Sequence, residues 1–261
     1  VHRGTWQRPD IAEAKDPEQV WTAHRQAKRE LLLEIYGRTG YWLDPRTLLV
    51  GFARRAASYK RPDLIFRDRR MAPLIEEGLV HLVFSSKAHP QDEHAKGVIA
   101  RLAAKSRQYP DRVVFLPNYD MRLSRLMTQG CDVWLNNPRR PNEASGTSGM
   151  KAAMNGVLHV STPDGWWPEA VEQGVNGWAF GGAESGDVDA CDAHALYEVM
   201  AREVIPTYYQ DPDRWRRMML ASVESTQEAF SVHRMLREYQ ELIYQEPAVT
   251  IGQATEENPR H

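Results

Sequence analysis

Short apolar runs alternate with helix-like segments along the first two thirds of this chain, and no other feature of the sequence constrains the fold as strongly. Nearly continuous apolar runs are typical of strands buried on both faces of a sheet. They cover residues 47–53, 80–84, 113–116, 133–135 and 157–160. The segments predicted to be helices are 63–77, 92–106, 123–129 and 149–155. This alternation predicts an α/β fold with a doubly wound parallel sheet, in which ligands collect at the carboxyl ends of the strands.

Helices are also predicted on either side of this region. Apolar residues recur at helical spacing over 16–36, where Asp16 provides a cap and Pro17 a first residue. A glycine-rich stretch at 174–186 is followed by three further predicted helices, 193–204, 212–225 and 231–244. We therefore expect one domain at 1–245, closed by the helices from 193 to 245, and a frayed polar tail at 246–261.

Composition limits the class of protein. Lys and Arg number 33 against 35 Asp and Glu, and the formal net charge of -2 gives no electrostatic reason to expect nucleic acid or a membrane surface as a partner. Cys131 and Cys191 lack the spacing of a disulfide scaffold or a zinc site, and the histidines lack metal-ligand spacing, so we assign no metal. No stretch approaches the roughly 18 apolar residues of a membrane helix. We expect a soluble cytoplasmic protein and interpret the start at Val1 as a cut end.

The densest group of polar residues, 136–151, follows a predicted strand and leads into a predicted helix. Backbone amides at such a junction suit phosphate or sugar oxygens. The pattern alone fits a helix cap with a flexible loop equally well. That alternative leaves Lys151 unexplained, because this lysine opens an otherwise apolar helix. A partly desolvated lysine has a lowered pKa and can form a Schiff base with an aldehyde.

A second cluster, 51–61, places four cations directly after a predicted strand: Arg54, Arg55, Lys60 and Arg61. A solvated basic loop is the alternative to a functional site. Close-set cations repel one another unless an anion or an acidic partner compensates them. Because residues 51–62 contain no acidic residue, we favour a phosphate site.

Three smaller features leave their alternatives open. His89, in the segment 87–90, could line a cleft or cap a turn. Tyr119 could lend a phenol to a cofactor ring or lie buried in a turn. Trp166 and Trp167, in the segment 164–169, could stack on a sugar or seal the edge of a domain.

The two clusters together resemble a known family. The segment Glu143-Ala144-Ser145-Gly146-Thr147, followed by Met150-Lys151, closely resembles the pyridoxal phosphate lysine motif of the α-glucan phosphorylases. The segments 51–61, 87–90, 115–120 and 164–167 look like further blocks of that family, in the same order and at similar spacing. Residues 212–244 are similar to its closing helices, so the resemblance covers nearly the whole chain.

The resemblance implies a two-lobed glycosyltransferase of the GT-B type, with this chain as its Rossmann-like C-terminal lobe and an N-terminal lobe missing. The family transfers one glucosyl unit between the non-reducing end of an α-1,4-glucan and inorganic phosphate, which gives glucose 1-phosphate. Lys151 would hold pyridoxal phosphate as a Schiff base. The family uses the phosphate of this cofactor, rather than its ring, as the acid and base partner of the substrate phosphate.

The family's site residues carry over by motif. Arg54, Gly146 and Thr147 would contact the cofactor phosphate, and Tyr119 and Trp6 would flank the cofactor. Arg55 and Lys60 would clamp the substrate phosphate and, with Lys151, form the catalytic set. Glu143, Ser145 and Gly146 would bind glucose hydroxyls. Ser86 and Ala56 depart from the family, which usually has glycine and often an aromatic residue there.

Two other functions remain open from the sequence. A nucleotide-sugar glycosyltransferase of the glycogen synthase type shares the two lobes and a basic phosphate clamp, and a non-catalytic glucan-binding fragment could retain the fold. Because one lobe is missing, we expect little turnover from this chain alone. We also expect the exposed face around 235–244 to drive self-association or pairing with an N-terminal half.

Overall fold

A computed structural model describes residues 6–244, and its centre is a six-stranded parallel sheet with the strand order β3-β2-β1-β4-β5-β6. The strands are β1 Leu48–Arg55, β2 Val80–Lys87, β3 Val113–Leu116, β4 Val133–Asn136, β5 Leu158–Ser161 and β6 Gly177–Ala179. The order reverses between β1 and β4, which is the doubly wound arrangement of Rossmann-like domains. The predicted fold class is therefore confirmed.

The helices cover both faces of this sheet. Those before β5 are α1 Pro9–Ala12, α2 Pro17–Thr39, α3 Met71–Glu76, α4 Glu93–Gln108, α5 Met121–Gly130 and α6 Thr147–Ala153. Those after β5 are α7 Trp167–Ala170, α8 Val188–Val199, α9 Ile205–Gln210, α10 Pro212–Gln227 and α11 Val232–Tyr239. Single π turns, Met200–Val204 and Gln240–Tyr244, follow α8 and α11.

Alternate residues of the strands enter two separate cores. In β1, Leu48, Val50 and Phe52 face one core, whereas Leu49 and Ala53 face the other. The first core is completed mainly by apolar residues of α3, α4, α8 and α10, and the second by α2 and α5. Because both faces are covered, these strands carry the continuous apolar runs from which they were predicted.

The cap at the start of α2 is also as predicted. The Asp16 side chain accepts a hydrogen bond from the Gln19 amide at 2.9 Å, and Pro17 is the first helical residue. The helix continues three residues beyond the predicted end at 36 and stops at Gly40, which is left-handed with φ 73°. Glycine adopts this conformation without the steric cost that other residues meet.

The prediction of one continuous helix over 63–77 is wrong. The structure has a 3₁₀ turn at Leu64–Phe66 and a separate short α3. Pro73 explains the break, because it lacks the amide that would bond to the Arg69 carbonyl in a continuous helix. The 3₁₀ turn instead places Leu64 and Ile65 in the first core.

The glycine-rich stretch 174–186 contains a strand, β6, that the sequence did not predict. Its first residue, Gly177, lies so close to β5 that an added Cβ would be 2.4 Å from the His159 carbonyl oxygen. Glycine is depleted in strands, so this close approach is visible only in the tertiary structure. Trp178 beside it is fully buried in the first core.

The closing helices follow the prediction with shifted bounds. The helix predicted at 193–204 begins earlier, at Val188, where Asp187 caps it through the Ala190 amide. It continues through the π turn into α9, which carries Pro206 near its start. Asp211 caps α10 through the Arg214 amide. Among the described residues, no helix combines the length and apolar character needed to cross a membrane. The expected tail at 246–261 and the first residue, Val1, lie outside the described residues.

Candidate active site

A cleft of about 650 Å³ opens at the carboxyl ends of the strands, beside the point where the strand order reverses. Ligands of doubly wound sheets bind at this point. Two segments supply most of its lining. The first, 53–60, covers the end of β1 and the turn beyond it, and the second, 143–148, runs into the start of α6. Lys87, His89 and Tyr119 complete the lining. The cleft therefore brings together eight residues predicted from the sequence: Arg54, Arg55, Lys60, Tyr119, Glu143, Ser145, Gly146 and Thr147.

Glu143 is the acidic partner of two cations in this cleft. Its Oε2 accepts a hydrogen bond from Arg54 Nη1 at 2.6 Å and another from Lys60 Nζ at 2.5 Å. Burial pushes the pKa of Glu143 upward, but Arg54 and Lys60 outweigh burial and hold that pKa below its usual value. The reasoning that no acidic residue compensates the cluster is thus wrong for these two cations. The partner is 83 to 89 residues away in sequence.

Arg61, the fourth cation of the cluster, lies outside the cleft. Its buried guanidinium bonds to Asp189 at 3.0 Å and Asp192 at 2.8 Å, both on α8. It also donates to the carbonyls of Asn137 and Pro138 at 2.9 Å each. Arg61 therefore fastens the loop after β4 to α8.

Arg55 and Lys87 end neighbouring strands and stand opposite each other in the register of β1 and β2. Both side chains are exposed and line the cleft. Within residues 6–244 neither forms an ion pair. Two adjacent uncompensated cations favour an anionic ligand at this edge.

The loop before α6 is held by Asp164 and Trp166, a role that the sequence did not predict for the segment 164–169. The Glu143 amide donates to Asp164 Oδ2 at 3.0 Å, and the Trp166 amide donates to the Ser145 carbonyl at 2.9 Å. Gly146 is left-handed with φ 88°, and an added Cβ would be 3.3 Å from the Arg54 guanidinium. This loop therefore has a defined shape directly above Arg54, and it is not a loosely attached cap.

The two tryptophans after Asp164 do not face the cleft. Trp166 and Trp167 are buried and pack around His159, with ring centroids at 5.4 Å and 4.7 Å from it. Their burial leaves neither ring free to stack on a sugar, and the Asp164 carboxylate anchors the Glu143 backbone. No spacing in the sequence distinguishes these roles.

Lys151 lies on α6, one turn after Thr147, and its amine is 3.5 Å from the centroid of the Trp6 ring. Partial burial lowers the pKa of Lys151. The Trp6 carbonyl accepts hydrogen bonds from Gln129 at 2.9 Å and Asn155 at 2.8 Å. Lys151 and Trp6 contact each other and, in the described part of the chain, are not among the residues that line the cleft.

The two remaining candidates have local partners. Tyr119 is half-buried, lines the cleft and donates its hydroxyl to Ser124 Oγ at 2.8 Å. His89 Nδ1 accepts from the Gln91 amide at 3.2 Å, which is the turn-capping role left open by the sequence, and its side chain also lines the cleft.

Comparisons with known proteins identify the family of the chain. The sequence profile of the carbohydrate phosphorylases matches residues 9–203. The chain is 42% identical over 248 residues to the maltodextrin phosphorylase of Thermococcus litoralis, covering 87% of this chain and 30% of that protein. It is 41% identical over 266 residues to the glycogen phosphorylase of Aquifex aeolicus, covering 91% and 38%. The glycogen phosphorylase of Mycobacterium bovis is 38% identical over 260 residues, covering 88% and 30%.

The chain thus spans about a third of the length of these relatives. The matched region contains every strand of the sheet and both segments of the cleft. The chain therefore belongs to the carbohydrate phosphorylase family.

Proposed function

We propose that this chain forms the cofactor-carrying half of an α-glucan phosphorylase. Its reaction is glucosyl transfer between the non-reducing end of an α-1,4-glucan and inorganic phosphate, which gives glucose 1-phosphate. The observation that carries this proposal is the position of Lys151. This lysine has a lowered pKa and lies on α6, directly after the loop in which Glu143 bonds to Arg54 and Lys60. The relatives are glycogen and maltodextrin phosphorylases, and this supports the proposed class of substrate.

The residues at this site suit pyridoxal phosphate. A lysine amine reacts with an aldehyde in its neutral form, and partial burial favours that form of Lys151. Within residues 6–244, Lys151 has no carboxylate partner that would keep it protonated. Trp6 and Tyr119 would flank the ring. When bound, the cofactor supplies a phosphate that exchanges a proton with the substrate phosphate.

Arg54, Gly146 and Thr147 would hold the cofactor phosphate. Arg54 already lies against Ser148 Oγ at 3.2 Å, at the start of α6, so its guanidinium is fixed in direction. Gly146 leaves space above that guanidinium which a side chain would fill. A fixed cation beside an open loop suits a phosphate, because little reorganisation is needed when the anion arrives.

Arg55 and Lys60 would hold the substrate phosphate, and Lys87 adds a third cation beside Arg55. Two phosphates side by side repel each other, and clustered cations offset that repulsion. Lys60 is bonded to Glu143 here, so the arrival of phosphate competes with an existing ion pair.

Glu143 and Ser145, with the Gly146 amide, would bind glucose hydroxyls. The Glu143 carboxylate accepts from Arg54 and Lys60 in this structure. When phosphates engage both cations, the carboxylate becomes available to accept hydrogen bonds from the sugar. The two binding events are therefore coupled through Glu143.

The complete activity also requires residues outside this chain. The relatives are about three times longer, and we propose that an N-terminal lobe supplies the glucan path and closes the cleft. The purified chain should accordingly release little or no glucose 1-phosphate from maltodextrin and phosphate. Turnover by the chain alone would contradict this requirement.

Covalent labelling tests the proposal directly. The chain is incubated with pyridoxal phosphate, reduced with borohydride and mapped by peptide mass spectrometry. We expect the label on Lys151, with matching absorbance of the bound cofactor, and no label at this position in Lys151→Arg. Lys96, which is bonded to the exposed Glu93, serves as the internal comparison for non-specific labelling.

Absence of label at Lys151, both alone and with an added N-terminal half, would overturn the cofactor assignment. Tight binding of a nucleoside diphosphate glucose in that case would favour a nucleotide-sugar glycosyltransferase. Binding of glucan with neither result would favour a non-catalytic glucan-binding protein.

A further inference from the structure

A second cleft, of about 310 Å³, lies at the opposite edge of the sheet, by the amino ends of the strands. It is enclosed by α2, by the turn that precedes β1 and by the junction of α9 with α10. β1 separates it from the candidate active site, and its eight residues span roughly 23 Å at the usual rise per residue. This cleft is therefore not a subsite of the active-site cleft.

Aromatic rings form the walls of this second cleft. They are Trp21, Tyr208, Tyr209 and Trp215. The ring of Tyr208 meets that of Trp215 edge to face at 5.0 Å and that of Tyr209 at 4.9 Å. Tyr209 is fixed through its hydroxyl, which accepts from the Leu48 amide at 3.2 Å and donates to the Leu79 carbonyl at 2.9 Å. The walls are thus apolar, flat and held in place.

Two guanidinium groups stand at the opening without a counterion. Arg25 and Arg29 are one turn apart on α2, both line the cleft, and both are exposed. Side chains at this spacing lie on the same face of a helix. Neither forms an ion pair anywhere in the part of the chain that the structure describes, and the lining contains no acidic residue.

The other cations of the cleft differ, because each has an acidic partner. Lys28 is paired with Asp132 at 2.5 Å, Arg46 with Asp44 at 2.8 Å and Arg216 with Asp213 at 3.1 Å. The uncompensated positive charge is therefore concentrated on Arg25 and Arg29. Two planar donors side by side can each form paired hydrogen bonds to a phosphate, which offers three terminal oxygens to share between them.

We infer that this cleft binds a small planar aromatic ring that carries a phosphate group. The ring packs against the aromatic walls, and the phosphate lies at the opening between Arg25 and Arg29. The volume is near the lower end of small-molecule pockets, which run from about 300 to 1,000 Å³. A cleft of this volume suits a ligand of one ring or two fused rings.

Isothermal titration calorimetry with 1-naphthyl phosphate tests this site. The probe has no aldehyde, so it cannot react with Lys151, and the test does not depend on the cofactor assignment. We expect the wild-type chain to bind the probe about tenfold more tightly than either 1-naphthol or inorganic phosphate. The double variant Arg25→Gln/Arg29→Gln should weaken binding of the probe about tenfold.

Two further variants locate the binding. Trp21→Leu removes a flat wall while keeping an apolar side chain, and it should weaken binding of the probe. Arg55→Gln alters the active-site cleft, whose cations also attract phosphate, and it should leave unchanged the part of probe binding that Arg25→Gln/Arg29→Gln removes. Arg25 and Arg29 are exposed, so their substitution leaves the core intact, which circular dichroism verifies.

Three results would overturn the inference. The first is absence of binding by the wild-type chain at millimolar probe. The second is equal affinity in the wild type and the double variant. The third is loss of binding in Arg55→Gln alone, which would assign the probe to the active-site cleft.

Discussion

At the scale of single residues, Glu143 decides how much free positive charge the active-site cleft presents. It holds Arg54 and Lys60 together through one carboxylate oxygen, whereas Arg55 and Lys87 remain uncompensated in the described residues. Its pKa is held below the usual value, so the carboxylate is charged at neutral pH. In the function proposed above, Glu143 is an internal anion with which a bound phosphate would compete for Arg54 and Lys60.

Substitution Glu143→Gln should tighten binding of inorganic phosphate to this chain. The change removes the competing charge but keeps the size of the side chain, and it should raise affinity about three- to tenfold, or about 1 kcal/mol. Calorimetric titration with phosphate measures the effect. Glu184→Gln, at an exposed position outside this cleft, is the matched control and should have no effect. Unchanged or weaker binding in Glu143→Gln would contradict the competition.

At the scale of elements, the seating of α6 on the sheet determines where Lys151 lies. Gly149 permits that seating, because an added Cβ would be 2.6 Å from the His159 ring and 2.8 Å from the Trp166 indole nitrogen. His159 is buried, and burial lowers its pKa to about 3, so it is a neutral packing partner at neutral pH. Because Gly149 has no side chain, α6 packs directly on β5 at this position.

Two glycine-to-alanine substitutions in helices should therefore have opposite effects. Gly149→Ala should lower the free energy of unfolding by about 1–3 kcal/mol through overpacking, and it should reduce cofactor labelling by displacing Lys151. In Gly37→Ala, on α2, the added methyl group meets nothing within 4 Å. This substitution should raise the free energy of unfolding by about 0.5–1 kcal/mol, because alanine has the higher helix propensity. Urea unfolding measures both. A neutral Gly149→Ala would show that α6 has room to shift.

A buried ion pair joins α2 to the sheet. Asp132 accepts hydrogen bonds from His24 at 3.0 Å, from Lys28 at 2.5 Å and from the Leu49 amide at 2.7 Å. Burial raises the pKa of Asp132, but Lys28 and His24 outweigh burial, and the net effect lowers it. All of these groups are buried away from water, so each polar group relies on the others for its hydrogen bonds and for its compensating charge.

Asp132→Asn should lower the free energy of unfolding by about 3–5 kcal/mol at neutral pH, because it leaves Lys28 buried without a counterion. Glu93→Gln, in an exposed pair on α4, should change it by less than about 1 kcal/mol. Urea unfolding compares the two. A loss as small as that of the control would show that water reaches Lys28.

The pH dependence of that difference follows from the lowered pKa of Asp132. Because the pKa of Asp132 is lower in the folded state than in the unfolded chain, its ionised carboxylate stabilises the fold. This stabilisation is fully present at pH values above 3.8, the pKa in the unfolded chain. This contribution is lost as the pH falls from 3.8 through the folded-state pKa. The wild type and Asp132→Asn should therefore converge in stability at acidic pH, and a constant difference from pH 7 down to acid would argue against the assignment.

At the scale of the whole molecule, the last described helix leaves an apolar face uncovered. The exposed large apolar residues of α11 and the following π turn are Val232, Met235, Leu236, Tyr239, Leu242, Ile243 and Tyr244. No residue of α11 is buried against the other residues of the range 6–244. Apolar surface of this extent, in one amphipathic helix, favours association.

We expect concentration-dependent association of the purified chain in sedimentation velocity experiments. The double variant Leu236→Glu/Leu242→Glu should shift the chain toward monomer, because it places charge in the apolar face. Met121→Glu, a comparable change at an isolated exposed position, should leave association unchanged. A strictly monomeric wild type in concentrated solution would contradict the expectation, and association suppressed by an added N-terminal half would identify that half as the natural partner.

The sequence alone determined the class of fold, the cap of α2 and the family. Apolar runs such as 80–84 depend only on burial of both strand faces, and caps such as Asp16 depend on residues within one turn, so both are local patterns. The motif from Glu143 to Lys151 identified the family because its residue types are contiguous in the chain. These inferences required no knowledge of which segments meet in space.

Only the tertiary structure separated the cations that follow β1. Arg61 pairs with α8, Arg54 and Lys60 pair with Glu143, and Arg55 remains exposed, although all four lie within eight residues of one another. Their partners are more than 80 residues away, and the order of strands in the sheet decides which partner each one meets. The same reason applies to β6, because Gly177 has a low strand propensity and its value, close approach to β5, is visible only once the strands have met. It applies also to the second cleft. Its walls come from three separate segments that are adjacent only after the sheet has formed.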